Sequence, residues 1–407
     1  MDIFKVYICS KASDIDERNY YYQHIIAYYG TNSINTDAFC HTFRCDVHYA
    51  SNFKNFVIKK MKYLYDKNKH ISFYFYSPKL AHLILEEEPQ FVKHIPCINS
   101  YSLIRQLDDK IIGRSWAKEY IDIVPFKVLP FSECIKNIQN NISYPSIDTF
   151  VLQYTVSCGG EGTYIILRDS IDKLRTYTQF FSKDIFLMFS PYYEKHISST
   201  CNFIVYEEDV LVFPIGISKS SLSDGDFARP IYQGTDYSQY NFFPVELKKK
   251  VYDSISLLGK KLALVGYRGI CGVDFLIYDN NILIMEFNPR YLGSSYLIDM
   301  ALLDNHLPPL AFFHEEAFIR STPNPEHIQA IKSLNVPYEG FTFSYNEQFD
   351  QQAFNMLLSN LPHSWKIHYD GLDISIPLKH YEQDTYLFRA SEKHKDNHLS
   401  SCYNPNK

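Results

Sequence analysis

The chain has 407 residues, 46% of them hydrophobic and 21% charged, with a formal net charge of −6. This is a globular composition, too long for one ordinary core, so two or three domains are expected. An acidic balance without a basic block argues against nucleic acid as a partner, and no apolar run reaches membrane-spanning length.

The first residues, MDIFKVYICSKASDIDERNYYYQ, lack the pattern of a secretory signal. The nine cysteines are scattered singly and form no CxxC, which favours neither a disulfide framework nor a zinc site. A reducing, cytoplasmic setting is the expectation.

FKVYICS predicts a buried first strand, and a helix is expected from Asp14 through Tyr21, Ile25 and Tyr28. FVIKKMKYLYDKN predicts a helix, HISFYFYS a strand and SPKLAHLILEEE a helix, which together suggest an α/β layer with parallel strands. LDDKIIGRSWAKEYI and SECIKNIQNNI predict two more helices. TFVLQYTV and TYIILRD predict strands on either side of a glycine-rich loop, SCGGEGT, and so a hairpin, not a phosphate-binding strand-to-helix turn. DIFLMFSPYYE and STCNFIVYEEDVLVFPIGIS continue the β pattern. FPVELKKKVYDSISLLGKKLALVG is the clearest helix, with Leu247, Val251, Ile255, Leu258 and Leu262 on one face. The last ~80 residues carry no motif.

The stretch GVDFLIYDNNILIMEFNPR, 272–290, sets two carboxylates in apolar strands. With a three-residue loop at 279–281, Tyr278 faces Ile282, Leu276 faces Ile284, and Asp274 stands opposite Glu286. A two-residue loop would shift the pairing by one and spoil this arrangement. Like charges facing each other across two strands destabilise a sheet, so the pair is expected to cost stability unless a divalent cation offsets it. Two carboxylates and the amide oxygen of Asn288 are hard donors that suit Mg²⁺. Arg290 adds a forked cation for a phosphate or acyl-phosphate oxygen. The plain alternative is a solvated outer face with ordinary exposed carboxylates.

These residues resemble the closing motif of the ATP-grasp superfamily: a Gly-x-Asp-Phe strand, then a strand ending Glu-x-Asn-Pro-Arg. The resemblance covers roughly residues 105–305 and is of the biotin carboxylase and D-alanine ligase type. It implies an α/β and α+β protein with an N-terminal open α/β domain at 1–105, before a two-subdomain ATP-grasp fold. The small subdomain would span 106–190 with the glycine-rich loop, the large subdomain 191–325 with the metal site, and a mixed C-terminal region 326–407. It implies Asp274, Glu286 and Asn288 as metal ligands for Mg²⁺ or Mn²⁺. Arg290 and Lys110 become the catalytic cations, with Lys110 at the Asp-Lys helix start in LDDKIIGRSW. ATP would be held by Lys110, Gln153, Gly159, Gly160, Gly162, Thr163, Tyr192, Tyr193 and Asn202, and the substrate carboxylate by Arg229 and Arg290. Glycines in that loop let backbone N–H groups approach phosphate oxygens. Gln153 stands where the family usually has a lysine, so a hydrogen-bond donor replaces a charge.

The activity implied is ATP-dependent joining of a small-molecule carboxylate to an amine through an acyl phosphate, yielding an amide or dipeptide with ADP and phosphate. A non-catalytic nucleotide-binding module and a small-molecule phosphotransferase are the alternatives. Relatives are often homodimers.

Overall fold

A computed structural model describes residues 3–11, 14–15, 18–29, 36–40, 49–155, 162–171, 185–223, 228–344, 359, 362, 364–368 and 386–394. Three sheets organise them. The first contains β1 (Phe4–Lys11), β2 (His24–Tyr29), β3 (Thr36–Cys40) and β4 (Ile71–Phe75), all parallel, in the order β3-β2-β1-β4. Helices α1 (Tyr49–Lys67) and α2 (Pro78–Glu87) accompany it. Residues 24–29 are therefore a strand, not part of the expected helix. Ile25 and Ile26 are β-branched, and pairing with β1 buries Ile26 completely.

The single helix expected after residue 106 is two. Helix α3 (Tyr101–Asp108) stops at Asp109, which caps α4 (Lys110–Ala117) by accepting from the N–H groups of Ile111 at 2.9 Å and Ile112 at 3.0 Å. The second sheet is antiparallel, with β5 (Lys127–Pro130), β6 (Thr149–Gln153), β7 (Thr163–Leu167) and β8 (Phe186–Pro191) in the order β5-β8-β6-β7. Helix α5 (Phe131–Gln139) buries Phe131, Cys134, Ile135 and Ile138 beside it.

The third sheet has eight strands. They are β9 (Ile197–Val205), β10 (Val210–Leu222), β11 (Pro230–Asp236), β12 (Gly269–Tyr278), β13 (Asn281–Asn288), β14 (Tyr338–Ser344), β15 (Trp365–His368) and β16 (Tyr386–Lys393), ordered β13-β12-β9-β10-β11-β14-β16-β15. Helix α6 (Val245–Leu264) buries the Leu247, Val251, Ile255, Leu258 and Leu262 face that its spacing predicts. Helices α7 (Ser295–Asp304), α8 (Leu310–Ile319) and α9 (Pro325–Lys332) contribute to a separate core shared with Tyr7, Tyr22 and Tyr74 of the N-terminal region. The C-terminal strands, which carry no sequence motif, extend the sheet that holds the carboxylate hairpin. No helix among the described residues is long and apolar enough to cross a membrane.

Candidate active site

The β12–β13 turn has two residues, Asp279 and Asn280, both left-handed at φ 47° and 59°. Asp and Asn tolerate that conformation, and a turn with two positive φ angles matches the twist of a hairpin. The three-residue loop expected from sequence is thus corrected. Tyr278 pairs with Asn281 and Phe275 with Ile284. Continued without interruption, this ladder would put Met285 opposite Asp274 and turn Glu286, opposite Val273, into the apolar face with Phe275.

A β-bulge prevents that. The register shifts between Asp274 and Phe275, Met285 becomes the extra residue, and Asp274 pairs with Glu286. Ile284 and Phe287 keep to the core, while Asp274 and Glu286 share the other face, each half-buried.

Helix α4 grips the bulge. Arg114 Nε donates to the Met285 carbonyl at 2.8 Å, and Lys110 Nζ lies 3.1 Å from Glu286 Oε2. These residues are four apart and so share one helix face. Both are buried, at 6% exposure for Lys110 and 4% for Arg114. Burial pulls the Arg114 pKa down to about 10, against the attraction of Glu286, so the guanidinium keeps its charge at neutral pH. The helix approaches closely because Gly113 has no side chain. A Cβ there would meet the Leu107 carbonyl oxygen at 2.8 Å and the Phe287 ring at 3.3 Å. Arg114→Met would leave the bulge carbonyl without its donor and loosen Glu286. The expected result is a drop of about 10- to 100-fold in metal affinity or turnover, read by metal titration of the folded variant.

Beyond the carboxylates, Asn288 Nδ2 donates to Asp274 Oδ2 at 2.9 Å, and Arg290 Nη2 donates to Asn288 Oδ1 at 2.9 Å. Arg290 Nη1 reaches the Tyr291 carbonyl at 3.0 Å and Tyr76 Oη at 3.4 Å. Burial, then the charge of Glu286, raises the Asp274 carboxyl to about 7, while hydrogen bonding from Asn288 and the charge of Arg290 act against the rise. Five expected residues, Lys110, Asp274, Glu286, Asn288 and Arg290, therefore form one contiguous network.

The others lie elsewhere or differ in role. Gln153 and Thr163 end the strands flanking the glycine-rich loop on the second sheet, where Gln153 Nε2 donates to Thr163 Oγ1 at 3.1 Å. Gly162 is left-handed at φ 68°, and its carbonyl accepts from Tyr154 N–H at 2.9 Å. Gly159 and Gly160 lie outside the described residues. Tyr192 and Tyr193 follow β8 and are half-buried; the Tyr193 ring packs 4.6 Å from Tyr278, at the turn end of the hairpin. Arg229 is exposed at the start of β11, next to Ala228, whose carbonyl accepts from Ile165 of β7.

Asn202 is a correction. It is fully buried, and its Oδ1 accepts from Ser295 Oγ at 2.9 Å, so it anchors the start of α7 and does not line an open cleft. Sequence reasoning missed Arg114, whose signal was its four-residue spacing from Lys110. A second acidic cluster, Asp236, Glu339 and His394, is already filled by the ammonium of Lys219, which pairs with both carboxylates.

The ATP-grasp domain family matches residues 128–294. The chain contains an ATP-grasp domain. Solved structures show the same fold over nearly the whole chain. Carboxyaminoimidazole ribonucleotide synthase from Aspergillus clavatus, complexed with ATP, is 12% identical, covering 96% of this chain and 94% of its own, with a TM-score of 0.60. The biotin carboxylase domain of Hydrogenobacter thermophilus 2-oxoglutarate carboxylase, in complex with MgADP, ADP and bicarbonate, is 12% identical, covering 97% and 87%, with a TM-score of 0.62. N5-carboxyaminoimidazole synthetase from Staphylococcus aureus, complexed with ADP, is 14% identical, covering 97% and 95%, with a TM-score of 0.60. No curated protein matches the chain by sequence. The ATP-grasp family match begins at residue 128, so Lys110 and Arg114, which touch the hairpin, precede it.

Proposed function

We propose that this ATP-grasp protein is an ADP-forming ligase that joins a carboxylate to an amine. The observation that carries the reading is the bulged hairpin. Two carboxylates are held opposite each other on a half-open face, with an amide oxygen and two cations around them. Hard oxygen donors in that number fit a Mg²⁺ ion that completes its shell with phosphate and water. Asp274, Glu286 and Asn288 would hold the ion. Once bound, it would neutralise charge on the β- and γ-phosphates of ATP.

The chain's own residues do the rest. Arg290, its plane fixed by Asn288 and the Tyr291 carbonyl, would turn its remaining N–H groups to the transferring phosphoryl oxygens, and Lys110 adds a buried positive charge beside Glu286. The substrate carboxylate oxygen attacks the γ-phosphorus in line, ADP leaves, and an acyl phosphate forms. The amine nitrogen then attacks the acyl carbon and phosphate departs, with the proton of the amine lost to solvent. Gln153, Gly159, Gly160, Gly162 and Thr163 would meet the nucleotide phosphates, Tyr192 and Tyr193 its base, and Arg229 the substrate carboxylate. A non-catalytic nucleotide-binding module is the second reading, favoured by the neutral Gln153 and its bond to Thr163. ADP release from ATP with pools of carboxylates and amines, with products identified by mass spectrometry, decides between them. Tight nucleotide binding with no turnover on any pool supports the module.

A pH dependence follows from Asp274. Its raised carboxyl is protonated in the metal-free protein below about pH 7, and a cation must displace that proton. Metal affinity is expected to rise with pH and level off in the alkaline range. Between pH 6 and pH 8 the gain should be about tenfold, one order per unit of proton competition, measured by Mg²⁺ titration in the presence of ADP. The sign for stability is opposite. A carboxyl raised above its unfolded value stabilises the metal-free fold at low pH, and that stability is lost as pH rises toward 7.

A further inference from the structure

A cleft of about 730 Å³ is lined by Lys79 of α2, by Tyr101, Arg105, Gln106 and Asp108 of α3, and by Ile112 of α4. That volume falls among those of small-molecule sites, about 300–1,000 Å³. Helix α2 starts at Pro78, shortly after the carboxyl end of β4. Ligands of open parallel sheets are met outside such ends, where the strand order reverses, and in the first sheet that point lies between β1 and β4. Tyr76 stands between β4 and α2, and its hydroxyl accepts from Arg290 at 3.4 Å. The cleft therefore adjoins the hairpin network from the side of the N-terminal domain.

Tyr101, Arg105 and Asp108 are spaced by four and three and so share one face of α3. The Tyr101 ring is braced by His82, with ring centres 5.0 Å apart, and His82 Nε2 donates to the Asn99 carbonyl at 2.8 Å. Asp108 takes the ammonium of Lys79. Its charge also reaches Arg290. Burial works to lower the Arg290 pKa, Tyr76 and then Asp108 act against it, and the net direction is up. With Lys79 engaged, Arg105 is the cation left over. Among the described residues its guanidinium meets no carboxylate, and it lies 5.9 Å from the centre of the Tyr101 ring. Gln106 adds a neutral donor. On α4, Ile112 is two positions from Lys110, so it turns away from the hairpin and lines the cleft, 48% exposed. The cleft thus offers one uncommitted cation, an aromatic wall and an apolar strip.

We propose that this cleft takes the body of the carboxylate substrate, and that this substrate carries a second anionic group, a carboxylate or a phosphomonoester, bound by Arg105. The proposal rests on the ligase reading and narrows its acid. The reacting carboxylate lies toward Arg290, the carbon chain packs on Ile112, and the far anion meets Arg105, whose planar fork donates to either oxyanion in pairs. The other cation of the cleft is spent on Asp108. A substrate with an uncharged far end therefore gains no charge-assisted bond here and leaves Arg105 to solvent.

The test measures ADP release by the full chain at saturating ATP and Mg²⁺, with a fixed mixture of amines. Acids of several chain lengths are supplied one at a time, in matched sets whose far end is a carboxylate, a phosphomonoester, a carboxamide or a hydroxyl. At the best length, kcat/KM for an acid with a far anion should exceed that of its neutral partner about 10- to 100-fold, the effect of one charged hydrogen-bonding contact. The carboxylate and phosphomonoester arms show which anion Arg105 takes. Arg105→Met should bring the ratio to within about twofold of one, and Arg105→Lys should restore part of it. The ratio compares two substrates on the same protein, so partial unfolding of a variant does not change it. Equal kcat/KM for charged and neutral far ends in the wild-type chain overturns the subsite and leaves the ligase reading standing. So does a ratio that survives Arg105→Met. ADP release that no acid stimulates overturns both.

Discussion

Glu286→Ala is expected to lower kcat/KM by about 10³-fold or more, because it removes one of two charged ligands and with it the charge stabilisation of phosphoryl transfer. Mg²⁺-dependent nucleotide binding should weaken alongside. Near-normal turnover at ordinary Mg²⁺ would mean that the hairpin is not the metal site. The effect on the fold is less obvious. Considered alone, the opposed carboxylates predict a variant that is more stable without metal. The structure reverses that expectation. Below about pH 7 the Asp274 carboxyl carries a proton, so there is little repulsion for the mutation to relieve. What it removes is the Lys110–Glu286 contact at 3.1 Å, on a lysine whose side chain is only 7% exposed. Loss of a buried charged hydrogen bond costs about 1–3 kcal/mol. Urea unfolding at pH 6 should therefore show a less stable variant, and equal or greater stability there would refute the role given to Lys110.

What the sequence discloses here is mostly periodicity and chemistry, and what it hides is register. The α6 face, the two strands around the glycine-rich loop and the Asp, Glu, Asn, Arg set can all be read from spacing. The turn cannot. YDNN fits a two-residue or a three-residue loop equally well, because Asp279, Asn280 and Asn281 all tolerate left-handed backbone. The bulge leaves no mark in composition either: Met285 is an ordinary apolar residue, and only pairing with a distant strand makes it the extra one. Two misplacements, the turn length and the missing bulge, cancel, so the carboxylates end opposite each other by a route the sequence does not reveal. His24–Tyr29 reads as helix when its apolar residues are spaced by three and four, and becomes a strand because β1 offers an edge. The same long-range pairing draws Arg389, near the C-terminal end, to Asp14. No local motif encodes a contact between residues so far apart in the chain.

Arg290→Lys tests the geometry of the network as well as its charge. The arginine spends its two terminal nitrogens on different neighbours, Nη2 on Asn288 Oδ1 and Nη1 on the Tyr291 carbonyl and Tyr76. Those bonds fix the plane of the guanidinium and orient the Asn288 amide, which in turn donates to Asp274. A lysine keeps the charge, but its three donors radiate from one compact nitrogen on a flexible stem, so it cannot reach partners set as far apart as the two ends of the guanidinium. Asn288 would then be free to rotate its oxygen away from the cation. Fixed positive charge at a transferring phosphoryl group contributes about 10³-fold or more to rate, and most of that is expected to go. The loss should fall on kcat, with KM for ATP changed only a few-fold, because the fork is needed most where charge builds on the phosphoryl oxygens. If KM for ATP rose while kcat held, Arg290 would be a ground-state nucleotide contact and the catalytic role would pass to Lys110, whose ammonium already lies against Glu286.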